Sequence, residues 1–192
     1  MKLYFVANAR MPTEKAHGIQ IAKMCEAFIE AGVDLTLITP TRSTEKKNIR
    51  AFYGLTVDVP HVRLPSFDWY TSGRPGYFIS SLSFMVSSFL FLLIKRATST
   101  FVLYTVDLDN YSSSHLACVP APLFSEMHGG KPDNVAQKLL FKRAKGIIAI
   151  NSLIVTDLKH MFPSSKARYI VEPNGTDLKS FKPIRREEAR AK

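Results

Sequence analysis

The chain reads as an α/β domain: a three-layer sandwich in which helices cover both faces of a mainly parallel sheet. Three observations predict this. Short continuous apolar runs, such as LYFVA at 3–7 and FVLYTV at 101–106, suit strands buried on both faces. Segments of helical period lie between them. The first unit, strand–loop–helix–strand over residues 3–38, must also cross over right-handed into a parallel pair.

Taken in order, Leu3 to Ala7 is the first strand and Asn8 to His17 a loop. Gly18 opens a helix with Ile19, Ala22, Cys25 and Phe28 at three- and four-residue spacing, and Ala31-Gly32 ends it. Leu35 to Ile38 is the second strand, closed by Pro40, and Thr41 to Asn48 is a polar loop. Leu55 to Leu64 is a strand broken at Pro60, and Pro65 to Gly76 is an aromatic loop with Trp69 and Tyr70. Tyr77 to Ile94 carries no charge, which reaches the length of a membrane span. Its serines, Ser80, Ser81, Ser83, Ser87 and Ser88, fall on one arc of a helical wheel. Leu82, Val86, Leu90 and other apolar residues take the opposite arc, so the segment reads as an amphipathic core helix packed on the sheet. A helix leaning on a membrane and a true span are the alternatives.

Phe101 to Val106 is the next strand, with Asp107, Asp109 and Asn110 at its carboxyl end. A short helix at Tyr111 to Ala117 precedes the strand Pro122 to Met127, which ends in Glu126, His128, Gly129 and Gly130. Helix Val135 to Lys145, strand Gly146 to Ile150, helix Leu153 to Met161 behind an Asn151-Ser152 cap, and strand Tyr169 to Val171 complete the alternation. Pro173-Asn174-Gly175 then turns the chain, with Pro fixing φ and Gly supplying positive φ, and Thr176 or Asp177 caps the next short turn. Six or seven strands result, with no internal repeat.

At 192 residues, 46% apolar and 22% charged, the chain is long enough for a sizeable core and excludes wholesale disorder. Cys25 and Cys118 lack a CxxC pattern and read as buried free thiols in a reduced, cytoplasmic setting. MKLYFVANAR is a core strand, not a signal peptide. The net charge of +10 is uneven: 12 basic against 10 acidic residues up to 130, then 14 against 6. That favours an anionic partner, but no zinc-ligand set or aromatic-basic motif supports nucleic acid.

In an open parallel sheet, ligands bind beyond the carboxyl ends of the strands. The first such loop lacks GxGxxG and the P-loop pattern, although Gly18 at a helix start would expose N–H groups to a phosphate. The alternative is that Gly18 only admits the loop to the helix and His17 lies at the surface. His128 would hydrogen-bond a substrate hydroxyl or move a proton, or else be a strand-end residue satisfied by backbone. Glu126 lies two residues earlier on the same side of the strand and would orient the imidazole. The spacing of His128, Glu126 and Asp107 does not demand a metal. His61, His115 and His160 read as surface or turn residues.

Five stretches together carry a family resemblance. They are KLYFVA with HGIQIAKMCEAFIEAGVDLTLITP, the strand end EMHG, AKGIIAINSLIVTDL, and VEPNGTDLKSFKP. Residues 2–183 resemble the N-terminal, Rossmann-like domain of family-four glycosyltransferases, retaining GT-B-fold enzymes that use nucleotide-sugar donors. The last stretch, a strand running into PNG-x-D-x-x-x-F-x-P, is the most specific. The first loop departs from the family, showing His17-Gly18 where paired glycines are usual. The resemblance implies that residues 1–183 supply the acceptor side of a cleft. His128 would stand near the transferred sugar with Glu126, His17 and Gly18 near acceptor or donor phosphate, and Asn174-Gly175 at an interdomain hinge. It implies no cofactor and no metal, the nucleotide-sugar entering as substrate. Residues 184–192 would begin the linker to a donor-binding domain that is expected to be missing from these 192 residues. A lipid-linked acceptor, with peripheral contact at the inner face of the membrane, would suit the basic surface and the 77–94 helix. The competing expectations are a non-catalytic partner subunit of a separate transferase chain and an unrelated Rossmann-like ligand-binding domain.

Overall fold

The computed structural model describes residues 1–42, 48–106, 108–109, 111–175 and 184–190. Seven strands form one sheet: β1 (Lys2–Val6), β2 (Asp34–Pro40), β3 (His61–Leu64), β4 (Phe101–Val106), β5 (Leu123–Met127), β6 (Gly146–Ala149) and β7 (Arg168–Val171). Their order is β3-β2-β1-β4-β5-β6-β7, and every pairing is parallel. The order reverses at β1, which pairs β2 on one side and β4 on the other. That switch leaves a crevice beyond the carboxyl ends of β1 and β4.

The apolar runs become strands because both faces of the sheet are covered. One layer holds α1 (Ala16–Glu30) and α2 (Ile49–Tyr53), over a core of Phe5, Ile21, Ala22, Cys25, Leu35 and Leu37. The other holds α3 (Gly73–Thr98), α4 (Val135–Arg143) and α5 (Ser152–Met161), around Phe84, Leu92, Leu103, Leu116, Phe141 and Leu158. Phe141 and Phe162 stack at 4.2 Å there. Asn48, Asn134 and Asn151 cap α2, α4 and α5 by accepting from Ala51 N, Gln137 N and Ile154 N. Gly32, with φ +81, closes α1 by donating to the Ile29 carbonyl. A five-residue helix, α6 (Arg186–Arg190), is wholly exposed.

The mainly parallel sheet stands, every pairing among the described residues being parallel, but other readings shift. The broken strand at 55–64 keeps only its part after Pro60, the 111–117 helix tightens to a 3₁₀ turn at Ser114–Cys118, and α2 has no counterpart in the sequence reading. Cys25 is buried but Cys118 is exposed. Gly175 does not use the left-handed region expected of it. The Thr176-Asp177 cap, Phe181, Pro183, Asp107, Asn110 and most of the 41–48 loop lie outside the described residues.

The largest correction concerns α3. It packs on the sheet, but its orientation is opposite to the expected one. Ser80, Ser81 and Ser88 are fully buried, while Leu82, Val86 and Leu90 of the apolar arc are exposed. Each buried serine is satisfied by a neighbour. Ser80 Oγ accepts from Trp69 N (2.9 Å), Ser81 Oγ accepts from Asn8 Nδ2 (3.0 Å), and Ser88 Oγ bonds Phe84 O (2.6 Å).

Of the histidines expected at the surface or in turns, His115 lies in the 3₁₀ turn, and both it and His61 are part-buried and hydrogen-bonded. His115 Nδ1 donates to Ser112 O (2.7 Å), and its Nε2 meets Ser88 Oγ at 2.8 Å, tying the 3₁₀ turn to α3. His61 Nε2 meets Thr39 Oγ1 at 2.8 Å. Burial pushes both imidazoles down to about 4, helped at His61 by Arg63. A folded pKa below the unfolded value means that the unfolded chain binds more protons as pH falls from the ordinary histidine range toward 4. Stability is therefore lost in that window. Denaturant titrations at neutral pH and near pH 5 should differ by about 2–4 kcal/mol, and a flat profile would show that these imidazoles charge freely in the fold.

Candidate functional site

Four side chains, from α1, β4, β5 and the loop after β5, meet near the carboxyl end of β5. Glu126, near the end of β5, is 5% exposed and so must be satisfied internally. Its Oε1 lies 2.6 Å from His128 Nε2 and accepts from Gln20 Nε2 of α1 at 3.0 Å. Its Oε2 accepts a short hydrogen bond from Tyr104 OH of β4. Burial alone would raise the Glu126 pKa. Donation by His128, Tyr104 and Gln20 outweighs it and holds the group below the usual carboxylate value. Tyr104 is raised in turn, first by burial and then by the carboxylate beside it, so it stays a neutral donor.

Two contacts on one ring nitrogen bear on the histidine tautomer. Nε2 lies 2.6 Å from Glu126 Oε1 and 2.9 Å from the Gln20 amide nitrogen. The carboxylate is the nearer and the charged partner, so it accepts the Nε2–H hydrogen bond and the Gln20 amide turns its own N–H to Glu126. Nδ1 is then the ring nitrogen left for other partners. The His128 side chain is about a quarter exposed against 7% for Glu126. The pair therefore divides into an enclosed anchor and a reachable imidazole.

A second cluster fills the switch-point crevice between β1 and β4. Asp109 Oδ1 accepts from Tyr111 N (3.0 Å) and Ser112 N (2.6 Å), while Oδ2 accepts from Asn8 Nδ2 (3.2 Å) and Tyr77 OH (3.0 Å). Arg42 donates a short hydrogen bond to Asn8 Oδ1 and lies over the Tyr70 ring, 3.5 Å from its centroid. Burial lowers the Arg42 pKa to about 10, opposed by Tyr77, Asp68, Asp109 and Tyr111, so the guanidinium stays charged at neutral pH.

The residues of the first loop sit otherwise than expected. The helix begins at Ala16, ahead of the Gly18 that was expected to open it. Gly18 is buried, and its N–H donates to Lys15 O at 2.9 Å, so that amide is not open to a phosphate. The glycine serves packing: a Cβ there would stand 2.4 Å from Thr13 Cγ2 and 2.5 Å from Tyr53 OH. His17, partly buried in the first turn of α1, has its pKa lowered by burial first and then by Lys15 and Arg42. Asn174 and Gly175 are exposed. Asn151 is used as a helix cap. A depression of about 460 Å³ between Lys159, Phe162 and Tyr169 lies beside the start of β7, away from both clusters. Among the described residues, no group of three His, Cys, Asp or Glu side chains is placed to hold a metal ion.

Sequence reasoning missed Gln20, Tyr104, Asn8 and Arg42. A glutamine on a helix and a tyrosine inside a strand carry no local signature. The available signal was Glu126 itself, a carboxylate at the end of a buried strand that needed donors from adjacent elements.

No family model and no curated protein matches the sequence. Solved structures match in fold. UGT2 of Phytolacca americana, complexed with UDP-2fluoro-glucose and pterostilbene, superimposes with a TM-score of 0.57 at 13% identity, over 91% of this chain and 52% of that one. Sucrose-phosphate synthase from Thermosynechococcus elongatus gives 0.58 at 14% identity, over 94% of this chain and 92% of that one. MurG from Acinetobacter baumannii gives 0.54 at 12%, over 100% and 48%. The chain thus spans about half the length of UGT2 and of MurG. It has the Rossmann-like α/β fold found in GT-B glycosyltransferases.

Proposed function

We propose that this chain is the acceptor-side half of a glycosyltransferase that moves a sugar from a nucleotide-sugar to an acceptor. The observation that carries the reading is the pair of polar clusters at the carboxyl ends of β1, β4 and β5, where this fold class binds its ligands. A partly exposed His128 imidazole, held by a buried Glu126, suits hydrogen bonding to a hydroxyl of the transferred sugar. In this role Glu126 is a positioning residue, fixing tautomer and ring orientation, and only His128 touches substrate. The charged Arg42 and the nearby His17 suit an anionic group at the mouth of the crevice. Retention at the anomeric carbon rests on the resemblance of the segment 167–183 to family-four enzymes, as does the hinge at Asn174-Gly175. The donor's nucleotide would be held by a second domain, since the matched part of UGT2 is about half of that protein.

The reading is tested by titrating the 192-residue chain with a nucleotide-sugar, alone and joined to a donor-binding second domain. Binding and acceptor-dependent release of nucleoside diphosphate are expected only from the two-domain form.

A further inference from the structure

The exposed side of α3 is a continuous apolar surface. Phe78, Leu82, Val86, Leu90 and Ile94 repeat every fourth residue and form one ridge, each 45–69% exposed. Folding has turned the serine arc inward and bonded it to Asn8, Trp69, Phe67 and His115. Rotating the ridge toward the sheet would break those bonds, so the outward orientation is built in. A soluble surface rarely carries so long an unbroken apolar strip without something to cover it.

We propose that this face docks the chain in the plane of an anionic lipid bilayer. Charge decides among the possible occupants. From Trp69 to Val106 there is no acidic residue, while Arg74 stands at one end of the apolar stretch and Lys95 and Arg96 at the other. Cations flanking an apolar face match anionic headgroups around an acyl interior. They match a second copy of the same face less well: either direction of pairing sets cation against cation with no carboxylate on the helix, the exposed Asp68 lying on the adjoining loop. Phe67 and Trp69 stack at 5.3 Å, both more than half exposed, on a loop pinned to the helix by Ser83 and Ser80. Such aromatics suit the level of the headgroups. A span is a poorer fit, although the helix is about 39 Å long and uncharged from Pro75 to Ile94. Its inner side is fixed to the sheet through Phe84 and Leu92, so crossing would carry sheet and neighbouring charged helices into hydrocarbon. In-plane docking sinks only the ridge. The docking face is independent of the proposed sugar transfer.

The test uses the 192-residue chain and phosphatidylcholine vesicles with about one-third phosphatidylglycerol, at low and high salt. Co-sedimentation is expected with these vesicles, weaker at high salt and weaker with phosphatidylcholine alone. Trp69 is the single tryptophan, so its emission should shift to the blue on binding. Val86→Asp with Leu90→Asp should lower vesicle affinity by at least about tenfold, and both sites are exposed enough to leave folding intact. Should that pair fail to fold, the milder Val86→Ser with Leu90→Ser replaces it. Arg74→Glu with Lys95→Glu should remove the preference for anionic lipid. The proposal is overturned if the chain stays in the supernatant with unshifted Trp69 emission. It is equally overturned if sedimentation velocity shows a self-associated chain, dispersed by the aspartates, that binds no vesicles.

Discussion

Replacing His128 with alanine should lower the turnover of the proposed two-domain transferase by at least about 10²-fold, with little change in the KM for donor. The reason lies in how the imidazole is held. Nε2–H is committed to Glu126, and that carboxylate is held by Gln20 and Tyr104 from two other elements. In the proposed transfer the ring would arrive at the sugar already oriented, leaving little reorganisation for the transition state. Alanine removes the contact and also leaves Glu126 with one donor fewer, so a fall in thermal stability should accompany the loss. Glu126→Gln separates the two effects. It keeps an oxygen for Nε2–H but removes the negative charge, and a smaller loss, about tenfold, is expected with the fold retained. Steady-state kinetics on both variants, with melting curves alongside, check this. Near-normal turnover in His128→Ala would leave the residue with a structural role only.

Asp109→Ala should be the most destabilising substitution in the crevice. One carboxylate accepts four hydrogen bonds, from Tyr111 N, Ser112 N, Asn8 Nδ2 and Tyr77 OH, and so joins the ends of β1 and β4 to the start of α3. Alanine strands these donors in a part-buried site, at a cost of about 2–4 kcal/mol. For a chain of this size that corresponds to a fall in Tm of about 5–15 °C. Asparagine retains one acceptor oxygen and should lose roughly half as much. Thermal melts of the three proteins decide it; a Tm for the alanine variant within about 2 °C of the parent would show that water replaces the carboxylate without penalty.

The sheet was legible because its strands are buried on both faces. Runs such as FVLYTV have no other favourable place in a soluble fold, and their alternation with helices determines a parallel arrangement. The orientation of α3 was not legible. A helical wheel separates serines from leucines but does not say which arc meets the sheet. The answer came from Asn8, Trp69 and His115, distant in sequence, which offer partners to the serines. The same blindness hid the partners of His61 and His115, since Thr39 and Ser88 lie on other elements. Of the two readings of Gly18 the close contacts with Thr13 and Tyr53 favour packing, and those contacts arise from the fold of the loop. Glu126 and His128 could be paired from sequence because residues two apart at a strand end share a side. Gln20 and Tyr104 join them only through the order of the strands.

The proposal that this domain serves sugar transfer while a second domain holds the nucleotide is tested most directly by calorimetric titration with a panel of nucleotide-sugars. The account predicts no saturable binding to the 192-residue chain up to about millimolar ligand, and micromolar binding once a donor-binding domain is joined to it. Micromolar affinity of the 192-residue chain by itself would contradict the account.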